Sequence, residues 1–366
     1  MERSAEPTTP VSWAATDPIG LGPFGEAHVK TRLERRAPQR RTPSRLLAAV
    51  LLPLLLMAAP HAVFGQETRE HDFTDLDRDV GVLKHVKLRL KLANRFIGQA
   101  DFGSFDVNSY QPEGRLKLTV PVAKNAGLRL LGTGRVIIYD FDGASDLAGD
   151  SPGSEDPFDS LNSWTLRLQG AYFLDEDVTL FSDKERWSIL VDAFGKARWE
   201  SGSDLSDALT WGGTLALGYK LAERLEVAAG LSIRTKLMKD GIGVSPLIEV
   251  DWRINDDWRL RSYGVGLEVE RRLTERFRLF ARVRLEGRSY RLEDRGGTIG
   301  KGKIHIRQLP TGLGFRWDLA RRFRLTAALG AIAYQRLRVK NEDDDTIGSE
   351  TADPSPYVMV RFDLRP

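Results

Sequence analysis

The 366-residue sequence contains no cysteine. That absence excludes a disulfide-stapled fold, a thiolate metal site, a cysteine nucleophile and a lipid-anchored N-terminal cysteine. Histidine is scarce as well: five in all, of which only His71, His85 and His305 lie beyond residue 65. Long apolar runs are missing from almost the whole chain, and a mean hydropathy of −0.32 excludes a bundle of transmembrane helices. It leaves open a membrane barrel, whose strands are apolar on one face only. Net charge is close to balance, +3 overall with a pI near 9.0, and the position of that small excess decides whether a nucleic-acid partner is worth considering.

The one uninterrupted apolar run, LLAAVLLPLLLMAA at 46–59, follows Arg35, Arg36, Arg40, Arg41 and Arg45. Its fourteen residues would rise only about 21 Å as a helix, short of a ~30 Å hydrocarbon core. With Val63, Phe64 and Gly65 at a plausible cleavage point, residues 1–65 read as a leader and secretory signal, and residues 1–29 as the product of a misplaced start. A short N-terminal segment, 66–86, then leads into a single β-domain over 87–366. The first 65 residues hold eight basic and five acidic residues, so the rest of the chain has 46 of each. The high pI therefore carries no nucleic-acid signal.

From Lys87 onward, apolar and charged residues alternate, the period of a strand with two different faces. In 277–288, Phe277, Leu279, Ala281, Val283 and Leu285 oppose Arg278, Arg282, Arg284, Glu286 and Arg288, with Phe280 the exception on the charged face. Tight connections (124–127, 222–224, 255–257, 274–276, 320–322) alternate with longer ones rich in Asp, Gly and Ser (140–160, 200–207, 293–302, 340–353). The pattern predicts strands at 87–103, 108–123, 128–139, 161–174, 186–199, 208–221, 225–238, 244–254, 258–263, 266–273, 277–292, 303–319, 323–339 and 355–365. Splitting 258–273 at Gly264-Val265-Gly266 keeps tight turns at one end and long loops at the other. The fold expected is an all-β, transmembrane, antiparallel up-and-down barrel of about 14 strands, with twelve as the fallback.

Strand lengths near those of a tilted membrane strand, and aromatic residues near strand ends on the apolar face, favour a membrane barrel over a soluble sandwich. The candidate aromatic girdle is Trp187, Trp199, Trp211, Tyr219, Trp252, Trp258 and Trp317. The opposite face supplies the candidate lumen-lining residues Arg129, Arg135, Arg167, Lys196, Arg198, Arg234, Arg278, Arg282, Arg284, Glu286, Arg288, Arg316, Arg324, Arg336 and Arg361. Such a face can attract anions or can brace the wall through Arg–carboxylate pairs.

In this pattern the chain resembles the bacterial outer-membrane β-barrel proteins, and more narrowly the uncharacterised plug-less barrel families, over Lys87 to Arg365. Members usually end on an aromatic residue; here Phe362 stands four residues before a final Pro366. The resemblance implies export by the signal peptide to the outer membrane of a Gram-negative cell, and outer-membrane lipid, lipopolysaccharide, the barrel-assembly machinery and small solutes as partners.

The function expected is a passive, porin-like channel whose Arg-lined lumen mildly favours anionic or zwitterionic small solutes. A structural or adhesive barrel with acidic outer loops is the alternative. An outer-membrane lipid hydrolase is a minor one. For the last, Ser289 and His305 are the one geometrically possible pair on the lipid-facing side. No enzyme activity, cofactor or metal is expected. The Asp-rich loops lack EF-hand spacing, and 296–302 lacks the G-x-x-x-x-G-K-[ST] phosphate loop.

Overall fold

The computed structural model describes residues 86–123, 125–142, 158, 160–174, 187–262, 264–294 and 300–365. The leader, the signal and the connection 175–185 lie outside the described residues. Sixteen strands run in chain order: β1 Lys87–Asp101, β2 Asp106–Ala123, β3 Ala126–Asp142, β4 Leu161–Phe173, β5 Trp187–Glu200, β6 Leu209–Ala222, β7 Leu225–Lys236, β8 Lys239–Arg253, β9 Trp258–Ser262, β10 Gly266–Arg272, β11 Phe277–Arg284, β12 Glu286–Arg291, β13 Lys303–Ala320, β14 Phe323–Lys340, β15 Thr346–Ala352 and β16 Ser355–Leu364. β11 and β12 are one wall strand interrupted at Leu285, since both pair with β13 in the same register. β15 and β16 are likewise two parts of one wall strand, both paired with β14. The wall therefore has fourteen strands.

Each wall strand pairs antiparallel with the next one in sequence, and β1 pairs with β16 from Leu90/Leu364 to Ile97/Tyr357. That last ladder closes the sheet into a ring, as a wall standing in hydrocarbon requires. The split expected at 264–266 is present: β9 and β10 form a short hairpin, and Gly264 takes φ 55° at its turn, a backbone region where a side chain would be strained. β1, whose alternation fades after Leu92 in sequence, is complete and pairs on both sides.

Two expectations change. Residues 346–352, expected within a long loop, form β15, because β14 extends to Lys340 and offers a free ladder to fold back on. β8 begins at Lys239 rather than 244, completing a long hairpin with β7.

Inward and outward rows separate cleanly. On β4, Trp164, Leu166, Leu168 and Tyr172 are exposed, while Arg167, Gln169 and Ala171 between them are buried. The same inversion, apolar out and charged in, repeats around the wall: Leu88, Leu90 and Leu92 on β1, Leu215 and Leu217 on β6, Leu313 on β13, Leu329 on β14 and Val358 on β16 are all exposed. A continuous apolar outer surface around a polar interior is unstable in water and stable in a bilayer.

The candidate lumen and its surroundings

The interior has three levels. At the loop end, inward side chains form an apolar core of Phe102, Phe105, Phe158, Leu161, Tyr290, Leu292, Ile304, Ile306, Leu337 and Val339, with Tyr139 and Phe141 against it. Phe102 stacks on Phe105 at 4.9 Å between ring centres, and Phe158 meets Phe141 edge-on at 5.1 Å. This core fills the barrel beyond the charged band.

The middle level is a network of ions. Arg95 reaches both oxygens of Glu286 at 3.2 and 3.3 Å, and Arg288 bonds the same carboxylate. Glu113 takes Arg115 at 3.2 Å and also takes Arg135. Arg167 stands 3.8 Å from Asp192. Arg316 joins Glu268 at 2.7 Å and also Glu270, while Arg261 pairs with both. Pairs that are nearly out of water need their remaining donors used, and carboxylates shared between two guanidinium groups take up several of them.

Phe280, the exception in the charged row, is buried with the Arg316 guanidinium 4.4 Å from its ring centre. Phe194 takes the Lys196 ammonium at 4.5 Å and the Arg167 guanidinium at 5.1 Å in the same way. The inward aromatics are thus part of the ion network. Phe194 was not singled out in sequence because its inward row mixes apolar and charged residues.

Two cavities of about 50 Å³ each remain in this band. The first is lined by Arg135, Arg167, Lys196, Arg198, Arg284 and Arg288 with Leu131, Thr133, Ser163 and Thr165, and no carboxylate lines it. The second shares Arg135 and Arg284 with the first and adds Arg95, Arg282 and Arg361 beside Glu113 and Glu286. Toward the turn end a third space of about 500 Å³ opens between Arg224, Arg253, Asp256, Asp257, Arg259, Glu270, Arg272 and Arg278. There Arg324 grips Asp318 at 2.6 and 3.0 Å, and Arg278 stands 3.7 Å away.

Arg129, Arg234 and every other lumen candidate but one fall in inward rows. Arg336 does not. Between Gln308/Gln335 and Pro310/Ile332 the β13–β14 ladder shifts register by one residue on β14. Beyond that bulge Gln335, Leu337 and Val339 are the buried positions, so Arg336, with Arg338, turns to the outer face.

The aromatic candidates lie in outward rows and separate into two levels. Trp199 and Trp211 stand near the loop end, with Trp164 meeting Trp199 edge-on at 5.8 Å. Trp164, not counted in sequence, could have been found from its place in the Trp164-Leu166-Leu168 row. Trp187 and Tyr219, 4.5 Å apart, lie near the turn end with Trp252, Trp258 and Trp317. Trp187 and Trp199 are twelve residues apart on one strand; that is about 40 Å along the strand and roughly 30 Å of height once tilted. Ser289 Oγ and His305 Nδ1, on paired positions of β12 and β13, are 2.9 Å apart.

A closed antiparallel wall of fourteen strands, apolar outside and ionic inside, defines a membrane-spanning β-barrel. No family model matches the chain, and no curated protein matches it. Among solved structures, it is similar to an outer membrane channel of Pseudomonas putida F1 described as COG4313 (10% identity, 77% of this chain and 95% of that one, TM-score 0.38). It is also similar to the Pseudomonas putida toluene transporter TodX (10%, 82% and 95%, 0.35) and to the translocator domain of autotransporter NalP from Neisseria meningitidis (10%, 88% and 97%, 0.30).

Proposed function

We propose that the chain is a passive channel of the bacterial outer membrane, narrow and selective for small anionic or zwitterionic solutes. The observation that carries this reading is the mid-lumen cavity with six basic side chains and no carboxylate in its lining. A concentration of one sign of charge in a low-dielectric constriction raises the local concentration of the opposite ion. The Arg–Glu pairs beside it hold the wall while leaving the lining cationic.

Cavities of about 50 Å³ predict a small conductance, and passage at the loop end requires the Phe102–Phe105–Phe158 core to move. The test is a planar bilayer with full-length protein under a salt gradient. A reversal potential of the sign expected for anion preference supports the reading, and a bilayer silent at all voltages overturns it. The two levels of outward aromatics support membrane-interface girdles, and the outer leaflet's lipid and lipopolysaccharide are then the barrel's immediate surroundings.

A second reading, hydrolysis of lipid esters, has one observation behind it, the 2.9 Å Ser289–His305 bond at the loop-end rim. Esterase activity in detergent micelles, lost in His305→Ala, is the outcome it requires; wild-type protein without activity removes it.

A further inference from the structure

The outward face of β13 and β14 carries an arrangement that the channel reading does not use. Beyond the β14 bulge, three successive outward rungs pair one basic residue with another: Lys303 opposite Lys340, His305 opposite Arg338, and Arg307 opposite Arg336. Like charges placed directly opposite on one face of a sheet repel and destabilise the pair. Three such rungs in a row concentrate five permanent cations and a histidine on one strip of surface.

The protein neutralises only part of it. Asp344 takes Lys303 at 2.5 Å and Lys340 at 3.1 Å. Burial pushes that carboxyl up, but the two ammonium groups outweigh it and hold it down to about 2. Ser289 bonds His305, and Arg336 donates to Ser349 at 2.9 Å. Among the described residues Arg307 and Arg338 have neither an ion pair nor a side-chain hydrogen bond.

The strip's height narrows the choice of ligand. It begins where the outward apolar row ends: on β13 Leu313, Thr311 and Leu309 lead to Arg307, and on β14 Leu329, Ala331 and Ala333 lead to Arg336. In a barrel standing in a bilayer, that is the level of the loop-side headgroups. Hydroxyls of Ser289, Ser349 and Thr351 flank the cations on paired positions of β12 and β15. Further round the wall, past β15 and β16, the loop ends of β1, β2 and β3 are acidic instead, with Asp101, Asp106, Asp140 and Asp142. The cationic strip is therefore a local feature of this side of the rim.

We infer that the outward strip Arg307, Arg336, Arg338 and Lys340 binds the phosphorylated headgroup of an outer-leaflet glycolipid, with Arg307 and Arg338 as the main phosphate ligands. The inference rests on the outer-membrane reading. Guanidinium groups bind phosphate oxygens through two parallel hydrogen bonds, and the lipid's phosphates supply the negative charge that the rungs lack. The flanking hydroxyls suit the sugar to which those phosphates are attached.

The test uses full-length protein in detergent with two probes, bisphosphorylated lipid A and the same lipid with its phosphates removed, bound lipid being counted by native mass spectrometry. Wild type is expected to prefer the phosphorylated lipid by about tenfold or more, and Arg307→Gln/Arg338→Gln to lose that preference, as two charge-assisted contacts disappear. Arg307→Lys/Arg338→Lys should keep part of it, and Arg276→Gln/Arg321→Gln, at the turn end, should leave it intact. Heat-modifiable gel migration reads the fold of each variant separately from its lipid binding. Equal binding of the two lipids, unchanged preference in a folded Gln variant, or full competition by equimolar inorganic phosphate each overturns the inference; the last would mark a free-anion site. Protein that does not fractionate with the outer membrane refutes the outer-membrane reading itself, and does so independently of the lipid assay.

Discussion

The two ends of this barrel are closed differently. At the turn end all fourteen wall strands form one ring, down to the β9–β10 hairpin. At the loop end the ring is smaller. β12 touches β5 through the Arg291/Trp199 rung, bypassing β6 to β10. The Glu293 amide donates to Glu200 Oε2 at 2.8 Å, and Arg291 stands 3.5 Å from Asp207. Nine wall strands then surround the loop-end core, and none of its members comes from β6, β7 or β8.

Where the two rings part, the wall is thin. β8 pairs with β9 only at Asp251, Trp252 and Arg253. Among the described residues no backbone rung joins the rest of β8 to a strand on that side. One substitute marks the end of the ladder, the Val250 amide donating to the Ser262 hydroxyl at 2.7 Å. Higher up, the Lys303 ammonium donates to the Leu237 carbonyl at 3.3 Å. Pro246 lies within this stretch of β8, and a residue without an amide hydrogen is tolerated best on an unpaired edge. One alternating pattern thus builds both a fully laddered wall and a seam; the difference lies in strand length, five and seven residues for β9 and β10 against eighteen for β13 and β14.

The comparison can be broken most severely from the loop-end core. Leu337 is fully buried there, and Leu337→Ala should cost about 2–5 kcal/mol in barrel stability. Urea titration followed by the folded-to-unfolded gel shift reads the loss. The same variant should raise single-channel conductance if this core obstructs the pore, and an unchanged conductance places the obstruction elsewhere.

A smaller effect is expected where the loop-end ring closes. Glu200 is wholly buried and accepts the Glu293 amide. Glu200→Ala leaves a donor without its partner, at roughly 1–3 kcal/mol. The closure is local, so amide exchange should quicken at 286–293 while β1 to β3 stay protected. Uniform acceleration would show that the two rings open as one unit.

The smallest effect belongs to the seam. Ser262→Ala removes one hydrogen bond, about 1 kcal/mol, and should speed exchange of the Val250 amide about fivefold with little change in overall stability. A global loss comparable to that of Leu337→Ala would mean that the seam carries as much of the fold as the core.

The period-2 alternation is a property of the chain itself, and it determined the architecture. Side chains on a strand point to opposite faces in strict turn, so the strand count, the tight-turn end, the break at Gly264–Gly266, the outward Trp and Leu rows and the inward Arg and Glu rows could all be read locally. The Ser289–His305 neighbourhood was legible for the same reason, since parity and strand order put both on one face.

What parity could not reveal depends on a partner strand. A one-residue bulge opposite β13 turns Arg336 and Arg338 from the lumen to the outer face, and only the pairing register fixes where that bulge falls. β15 exists because β14 extends beyond the bulge and leaves a ladder to occupy. The loop-end core gathers Phe102, Phe158, Tyr290 and Leu337 from strands far apart in sequence, and the β12–β5 contact joins strands that are not neighbours in the wall. Local sequence sets the direction in which each side chain points; which groups meet is decided by ring closure and register, which belong to the whole sheet.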